Sequence, residues 1–282
     1  MMNVGVNFFG PKRKLYQNFE DTIERLRNSG ASSAEICVGF AGNGEPPKEL
    51  KLEIPPEILK EMSGGIWPYT EAEEKLATVR KMGLSVISAH MMLGMETDPE
   101  QLAETTAQIV EFGKRNQIQY FVLSLMQGLS GMKKYVDVLN YMAGEMEKAG
   151  IKLAYHNHEV ECMTEEGTTA LDYILEQCPL LKLELDVGWA KFAGASPVEL
   201  MQKHRDRIEL LHFKDIKADA SPETRATCFT AVGEGSIPLQ EILVEAKNCP
   251  IAEYGIIIDQ DDSQTDILED LARGIANITA AG

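Results

Sequence analysis

The chain has 282 residues, of which 44% are hydrophobic and 25% are charged, and its formal net charge is -17. This composition provides ample apolar material for a packed core and argues against disorder, while the negative charge disfavours nucleic acids and anionic membranes as partners. The length lies near the ~250 residues typical of one α/β barrel, so we expect a single domain over 1–282.

Cysteine usage and the first residues bear on the cellular compartment. The five cysteines form an odd set without CxxC spacing, which fits neither a disulfide framework nor a structural zinc knuckle. The first residues lack a basic segment followed by an apolar stretch, and no run approaches the ~18 apolar residues of a membrane span. We therefore expect a cytoplasmic protein with no membrane partner.

Short runs rich in β-branched and aromatic residues alternate with longer amphipathic segments, which is the pattern of parallel strands joined by crossover helices. Helical spacing ends before Gly30, Gly83 and Gly150, each a suitable helix C-cap, and Asp98 before Pro99 indicates a helix start. The eight predicted strands are 3–9, 34–40, 84–90, 118–124, 151–157, 181–187, 208–214 and 254–259.

Residues 41–70 interrupt this alternation. The segment contains nine glycines and prolines, too many for an ordinary crossover helix. We expect a long loop insertion after the second strand, with one helical turn at 56–62. Loops that follow strands lie on the catalytic face of a barrel, so this segment is either a lid or partner surface, or an insertion without a role.

Ligand-type side chains stand at the ends of the last four predicted strands, at His156, Asp186, His212 and Asp259. Only a closed ring brings four such ends around one mouth, and no glycine-rich phosphate loop follows the first strand, which disfavours an open dinucleotide-binding sheet. The sequence therefore predicts an α/β fold, a single (β/α)8 TIM barrel. It also predicts a divalent cation at the mouth of this barrel.

Several motifs in this order resemble the sugar phosphate isomerase/epimerase family, which has the xylose isomerase-like barrel and includes inosose dehydratases and tagatose-type epimerases. The resemblance covers residues 151–262 most closely, and the first half more loosely through Ser88-Ala89-His90. The motifs are Tyr155-His156-Asn157-His158 with Glu161, Glu184-Leu185-Asp186-Val187-Gly188-Trp189, Leu211-His212-Phe213-Lys214-Asp215, Val232-Gly233-Glu234-Gly235 and Ile258-Asp259-Gln260-Asp261.

The resemblance implies one divalent cation held by side chains from the last four strands. On the fifth strand the ligand is His156, His158 or Glu161, and on the eighth Asp259 stands where the family usually has the longer Glu. The donor types favour Mn²⁺, with Mg²⁺, Co²⁺ or Zn²⁺ as alternatives. The candidate ligands are His156, Glu161, Asp186, His212 and Asp259.

The implied chemistry is proton transfer next to a carbonyl, because a cation chelated by a carbonyl and its neighbouring hydroxyl stabilises an enediolate. Glu161 and Glu234 are candidates for the proton-transferring pair, and His158 is a further catalytic candidate. Lys214 is placed to polarise an oxygen or to bind an anionic group. Return of the proton gives epimerisation or isomerisation, whereas loss of a β-hydroxyl gives dehydration.

Four residues are candidates for substrate contacts, each with a structural alternative. His90 either lines the pocket or forms a hydrogen bond in the core. Trp189 either stacks on a sugar ring or packs at the barrel rim. Trp67 is a lid anchor or a core residue, and Glu35 faces a pocket or belongs to a buried pair.

We hypothesise a metal-dependent isomerase or epimerase of a small sugar, ketose or keto-sugar. The alternatives are a dehydratase or lyase acting on an inosose or 3-keto-glycoside, and a non-catalytic, metal-free barrel subunit suggested by Asp259. A nuclease of the endonuclease IV type is disfavoured by the five histidines and the negative charge. A non-phosphorylated carbohydrate substrate is preferred, and barrels of this kind often form homo-oligomers.

Overall fold

Eight parallel strands close into a barrel in the computed structural model, which describes residues 2–40, 56–92 and 98–282. Each strand pairs in parallel with the next along the chain, and the last pairs with the first, so the predicted eight-stranded barrel is confirmed. The strands are β1 (Gly5–Asn7), β2 (Ser33–Gly39), β3 (Ser88–Met92), β4 (Tyr120–Leu123), β5 (Lys152–His156), β6 (Lys182–Asp186), β7 (Ile208–Phe213) and β8 (Ile256–Ile258).

Helices connect the strands and cover the outside of the barrel. Asp98 caps one of them by accepting the N–H groups of Glu100 and Gln101 at 3.1 Å, as its position before Pro99 predicts. No helix in the described ranges is long and apolar enough to cross a bilayer. The helices are Lys12–Gln17, Phe19–Asn28, Pro56–Met62, Tyr69–Lys81, Pro99–Asn116, Leu129–Met132, Val136–Lys148, Glu159–Cys162, Ala170–Gln177, Val187–Phe192, Pro197–Lys203, Leu239–Ala246 and Ile267–Ala281.

Successive side chains of a strand point to opposite faces, and this alternation divides the core in two. Leu183 and Leu185 of β6 belong to the large apolar cluster between barrel and helices. Glu184 and Asp186 of the same strand point into the barrel, where they meet His90 and His156. A smaller cluster fills the interior below these polar groups, formed by Ile87, Tyr120, Val122, Ala154 and Leu210.

The predicted insertion at 41–70 is described only in its second half. Residues 41–55 lie outside the described ranges, so the lid and partner-surface alternatives stay predictions. The helix Pro56–Met62 stands where one helical turn was predicted. The short strand Ile66–Pro68 then pairs in parallel with Cys37–Gly39 at the carboxyl half of β2.

Trp67 is a core residue. Its side chain is fully buried and makes edge contacts with the rings of Phe8 and Phe19. Its Nε1 donates a hydrogen bond to the carbonyl oxygen of Gly64 at 3.0 Å. The sequence predicted that Trp67 is either a lid anchor or a core residue, and the packing favours the core residue.

The amino-terminal end of the barrel carries a paired charge network. Glu209, which is 5% exposed, accepts a hydrogen bond from the Tyr120 hydroxyl at 2.6 Å. Its other oxygen lies 2.8 Å from the Lys182 ammonium, and Lys152 completes the set. Both carboxylate oxygens are therefore partnered at this end.

Candidate metal centre

Four buried side chains meet at the carboxyl end of the barrel, and their donor atoms lie within 4.8 Å of one another: His156, Asp186, His212 and Asp259. Strand pairing explains the convergence, because His212 is in register with Asp186 on neighbouring strands and Asp259 follows β8 directly. We call these four residues the mouth cluster. Four of the five residues assigned to metal binding from the sequence thus come together, and their role stays a prediction.

Asp186 is held in place by the local backbone. Its Oδ1 accepts the N–H of Trp189 at 2.7 Å and caps the helix Val187–Phe192. The Asn157 side chain accepts the Asp186 N–H at 3.0 Å and donates to the Asp186 carbonyl oxygen at 3.2 Å, which joins the ends of β5 and β6. Capping uses only one carboxylate oxygen, so Oδ2 remains for another partner.

The mouth cluster has the donors that a divalent cation requires. Two of its buried atoms, Asp186 Oδ2 and His212 Nδ1, find no hydrogen-bond partner among the residues that the structure describes. A buried polar atom left unpaired costs about 1–3 kcal/mol, and a cation would satisfy both atoms. Two imidazoles with two carboxylates suit Mn²⁺, Co²⁺ or Zn²⁺, so the residues present fit such an ion.

Lys214 is a buried cation beside the mouth cluster. Its Nζ lies 2.9 Å from Asp259, 2.6 Å from Asp261 and 3.8 Å from Asp186. Burial lowers the pKa of Lys214, but the three carboxylates outweigh burial and hold the pKa above its ordinary value. The ammonium therefore stays charged at neutral pH and offsets part of the negative charge around it.

A second set of charged side chains lies beneath the mouth cluster, and we call Glu35, His90 and Glu184 the inner layer. His90 Nε2 lies 2.7 Å from Glu184 Oε2 and 3.2 Å from Glu35 Oε2. His156 Nδ1 lies 3.0 Å from Glu184 Oε2. His212 Nε2 lies 2.6 Å from Glu35 Oε2. The inner layer thus contacts both imidazoles of the mouth cluster from below.

Burial sets the protonation of these groups. It raises the pKa of Asp186 to about 7, and together with the Glu35 charge it raises the pKa of Glu184 to about 7. Burial and the charge of His212 lower the pKa of His156 well below its ordinary value. Burial also lowers the pKa of His90, but Glu35 and Glu184 outweigh it and raise this pKa to about 10. At neutral pH, His156 is therefore an uncharged imidazole with a free lone pair.

Glu161 forms its hydrogen bonds outside the mouth cluster. Its Oε1 accepts the Tyr155 hydroxyl at 2.7 Å and the Gln127 N–H at 3.0 Å, and its Oε2 accepts the His158 N–H at 3.0 Å. The last bond belongs to a capping box at the helix Glu159–Cys162. Of the three fifth-strand residues predicted as metal ligands, His156 therefore lies in the mouth cluster. Glu161 instead caps a helix and bonds to Tyr155.

The motif at 232–235 surrounds Asp215 and does not present Glu234 to the mouth. Buried Asp215 accepts backbone N–H groups of this turn, and a Cβ at Gly235 would lie 2.2 Å from Asp215 Oδ1. Glu234 is exposed and accepts a hydrogen bond from Arg273 Nε at 2.8 Å. The geometry therefore does not support Glu234 as a proton-transferring residue. The donors from this turn are Gly233, Gly235, Ser236 and Ile237, at 2.9 to 3.1 Å, and the Ile216 N–H also donates to Asp215 at 2.9 Å.

A cavity of about 560 Å³ opens at this end of the barrel, a size suited to a small-molecule ligand. Trp189 lines it, with the Arg225 guanidinium 4.4 Å from its ring centroid. Asp261 also lines the cavity and connects it to the mouth cluster through the bond to Lys214. The packing favours the rim interpretation of Trp189, because its side chain is only 2% exposed and the Arg225 guanidinium lies over its ring.

His158 lines the same cavity as an uncharged imidazole. Its Nδ1 lies 2.8 Å from the Ser124 hydroxyl oxygen, which fixes the ring orientation. Burial and the nearby Lys214 ammonium lower the pKa of His158 to about 3. At neutral pH this side chain is therefore uncharged, and its lowered pKa makes it a weak base until a ligand changes its surroundings.

Sequence reasoning did not single out three residues of this site. Glu184 stands two positions before Asp186 on one strand, so the same period-two rule that places Asp186 inside the barrel also places Glu184 there. Asn157 and Asp261 lie beyond the strand ends, and their bonds to Asp186 and Lys214 depend on loop paths. A strand-face count would have found Glu184. Asn157 and Asp261 stand within the resemblance motifs, but strand alternation does not reveal their bonding partners.

Two curated proteins similar to this chain have the same name. An inosose dehydratase of Clostridium botulinum is 29% identical over 279 residues, which covers 91% of this chain and 87% of that protein. An inosose dehydratase of Geobacillus kaustophilus is 30% identical over 129 residues, so this chain spans less than half (41%) of that relative.

Solved structures share the fold at low sequence identity. A sugar phosphate isomerase/epimerase of Parabacteroides distasonis superposes with a TM-score of 0.75 and 19% identity, covering 99% of this chain and 94% of that one. The IOLI protein, solved with a zinc atom, gives 0.65 and 16%, covering 99% and 96%. A Mycobacterium smegmatis barrel solved with magnesium gives 0.61 and 12%, covering 99% and 95%.

The sequence profile of one family, described as Xylose isomerase-like TIM barrel, matches residues 57–278. This match spans most of the chain, includes the strand ends that form the mouth cluster, and agrees with the closed barrel. The chain therefore belongs to the xylose isomerase-like TIM barrel family.

Proposed function

We propose that the protein is a metal-dependent dehydratase that removes water from a small polyol ketone of the inosose class. The observation that carries the proposal is a pair of buried atoms without a hydrogen bond in the described part of the barrel mouth, Asp186 Oδ2 and His212 Nδ1. Their charged neighbours lie at 3.8 Å (Lys214) and 3.4 Å (Asp259). The names of the curated relatives support dehydration as the reaction. The uncharged imidazole of His158 in the cavity supplies the base that such a reaction needs.

The ion would be held by His156, Asp186, His212 and Asp259, with Mn²⁺ favoured and Mg²⁺, Co²⁺ or Zn²⁺ as alternatives. When bound, the cation supplies Lewis-acid polarisation of a substrate oxygen. Asp259 lies in the cluster despite being shorter than the Glu usual at this position. Its contacts with Lys214 and His212 place it there.

Residues that line the cavity transfer the protons in this proposal. His158 takes the proton from the carbon next to the substrate carbonyl, because it is uncharged and oriented by Ser124. Departure of the β-hydroxyl as water requires a proton, and Lys12 is placed to provide it. Its ammonium lines the cavity and donates only to the main-chain oxygens of Phe9 and Asp261, at 3.1 Å each, within the described residues. Burial lowers the pKa of Lys12, which favours release of a proton.

Dehydration fits this arrangement better than epimerisation. An epimerase that returns the proton to the opposite face needs a base on each side of the substrate. The two glutamates expected in that role are otherwise engaged, Glu161 by Tyr155 and two backbone N–H groups, and Glu234 by Arg273. A single base in the cavity is sufficient to remove the proton that precedes loss of water.

The test is to incubate the Mn²⁺-loaded protein with an inosose and with a panel of ketoses in D₂O. We expect a product lighter by one water by mass spectrometry, and a loss of about 10²–10⁴-fold in rate for His158→Gln. His204→Gln is the matched control, since His204 bonds to Asp172 at 2.7 Å away from the cavity. Deuterium incorporation without dehydration would instead favour an epimerase or isomerase. Bound metal with neither reaction would favour a non-catalytic barrel.

A further inference from the structure

We infer that the inner layer is a positioning device that orients the two imidazoles of the mouth cluster toward the cation. Glu35, His90 and Glu184 would not touch the ion themselves. The inference rests on the proposed metal site and assigns a role to residues beneath it. Carboxylates that accept the second N–H of a ligating histidine fix its tautomer and ring orientation, and their loss typically weakens metal binding 10–100-fold.

His156 has two different sides. Its Nδ1 lies 3.0 Å from Glu184 Oε2, while its Nε2 faces the mouth cluster and lies 3.9 Å from Asp186 Oδ2. An ionised carboxylate can only accept a hydrogen bond, so Nδ1 carries the hydrogen when it faces Glu184. In the uncharged ring the lone pair is then on Nε2, on the side of Asp186.

His212 has the same arrangement with its nitrogens exchanged. Its Nε2 lies 2.6 Å from Glu35 Oε2 and 3.3 Å from Glu184 Oε1. Its Nδ1 lies 3.4 Å from Asp259 Oδ2 and has no hydrogen-bond partner in the described chain. Both rings therefore direct one nitrogen down to a carboxylate of the inner layer and the other up to the mouth cluster.

His90 holds the two inner carboxylates together. Its Nε2 contacts Glu184 at 2.7 Å and Glu35 at 3.2 Å, so one N–H lies between two acceptors that would otherwise repel each other. Its ring also stacks on His212 at a centroid distance of 5.3 Å. The inner layer is fully buried except for His90, whose side chain is 14% exposed. Ligand orientation is thus fixed by residues from β2, β3 and β6.

The competing assignment is that the inner layer itself binds a cation. Glu35 Oε1 and Glu184 Oε1 lack hydrogen-bond partners among the residues described, and His90 is close to both carboxylates. An inner cation site would use His90, His156, Glu184 and His212, and so shares both imidazoles with the mouth cluster. Positioning predicts one ion per chain that Asp186→Asn weakens, whereas an inner site predicts a second ion or one ion whose affinity Asp186→Asn leaves unchanged.

The experiment is a titration of the metal-free protein with Mn²⁺, in which electron paramagnetic resonance counts the free ion. We expect one ion per chain and a 10–100-fold weaker affinity for Glu184→Gln, with a larger loss for Glu184→Ala. The matched control is Glu209→Gln, which alters a buried barrel carboxylate at the other end and should leave Mn²⁺ affinity unchanged. Glu35→Gln tests the same role through His212 if the Glu184 variants do not fold.

Thermal unfolding of the metal-free variants separates positioning from a general structural role. Positioning predicts that Glu184→Gln loses Mn²⁺ affinity without a lower Tm, since Gln keeps the shape and an acceptor oxygen. Wild-type affinity in both Gln variants, or two ions falling to one, would overturn the inference. Wild-type protein that binds no Mn²⁺ overturns both proposals. Tight binding without dehydration overturns only the proposed function.

Discussion

The amino-terminal and carboxyl ends of the barrel both bury carboxylates, but among the described residues only the carboxyl end has buried carboxylate oxygens without hydrogen bonds. At the amino-terminal end, Glu209 uses both oxygens to bind Lys152, Lys182 and Tyr120. At the carboxyl end, three carboxylates each have one oxygen with no hydrogen-bond partner in the part of the chain that the structure describes. These are Glu35, Glu184 and Asp186.

This difference suggests that the carboxylates at the amino-terminal end contribute to stability and that those at the carboxyl end bind a ligand. A buried ion pair with all its partners is consistent with a structural role, and the amino-terminal face of such barrels is where structural residues are expected. Buried acceptors without hydrogen bonds cost stability, and their concentration around His156 and His212 fits a site that binds a cation. The predictions that follow test this division from its largest expected effect to its smallest.

Asp186→Asn should have the largest effect on function. Asn keeps an acceptor for the Trp189 N–H, so the helix cap and fold should survive, but the anionic oxygen is lost. A ligated cation contributes several kcal/mol to catalysis, so we expect at least about 100-fold loss in kcat/KM and in Mn²⁺ affinity. Steady-state kinetics and metal titration measure this. Asp206→Asn, at an exposed position, is the control, and equal behaviour of the two variants would refute the metal site.

Glu209→Gln should give the opposite result. Two lysines lose their carboxylate at the amino-terminal end, so we expect a loss of about 1–3 kcal/mol in the free energy of unfolding. Catalysis per folded molecule should not change, because Glu209 lies at the other end of the barrel from Asp186. Urea unfolding and kinetics on the same preparation provide the check. Lost metal affinity with intact stability would remove the contrast between the two ends.

Mn²⁺ affinity should fall as the pH drops below about 7. Burial raises the pKa of Asp186 to about 7, so below that pH the ion must displace a proton from Asp186. Burial lowers the pKa of His212, but Glu184 and Glu35 outweigh it and raise this pKa well above its ordinary value, so the ion displaces a proton there as well. One displaced proton corresponds to about tenfold weaker binding per pH unit. The free energy of unfolding of the metal-free protein changes in the opposite direction. The native state holds the Asp186 proton more tightly than the unfolded chain does, so the contribution of Asp186 to stability is lost as the pH rises through about 7. Titrations between pH 5.5 and 8 test the slope, and a flat profile would exclude a protonated ligand.

Glu234→Gln should have the smallest effect. The side chain is exposed and its bond to Arg273 is a surface ion pair, worth about 0.2–1 kcal/mol. We expect kcat within about twofold of the wild type, with Glu241→Gln on the exposed side of the next helix as the control. A drop of about tenfold or more would return Glu234 to the proton-transferring role that the sequence motif suggested.

Strand periodicity made the barrel and most of the mouth cluster predictable. The predicted strand 181–187 contains Lys182–Asp186, and its alternation places Asp186 inside. The third strand was predicted at 84–90 but is Ser88–Met92. The apolar run from Leu84 precedes the sheet, where Ser85 makes only an isolated bridge to Ser33.

Contacts with the backbone were not predictable. Glu161 resembles a catalytic carboxylate in sequence, yet main-chain N–H groups and Tyr155 occupy both of its oxygens. Asp215 likewise determines where Glu234 points, because its bonds to Gly233 and Gly235 fix the turn. Residues of almost any type can donate a main-chain N–H group, so the spacing of residue types in a sequence does not reveal which carboxylates accept such bonds.

Asp215 anchors the 232–237 turn through main-chain N–H groups, so the attachment does not use the side chains of Glu234, Ser236 or Ile237. The neighbouring hairpin of Asp215–Ile216 and Phe229–Thr230 starts from the same aspartate and carries Arg225 to the cavity wall. Loss of the Asp215 carboxylate would therefore disturb the turn and the cavity wall together, without removing a donor of the mouth cluster.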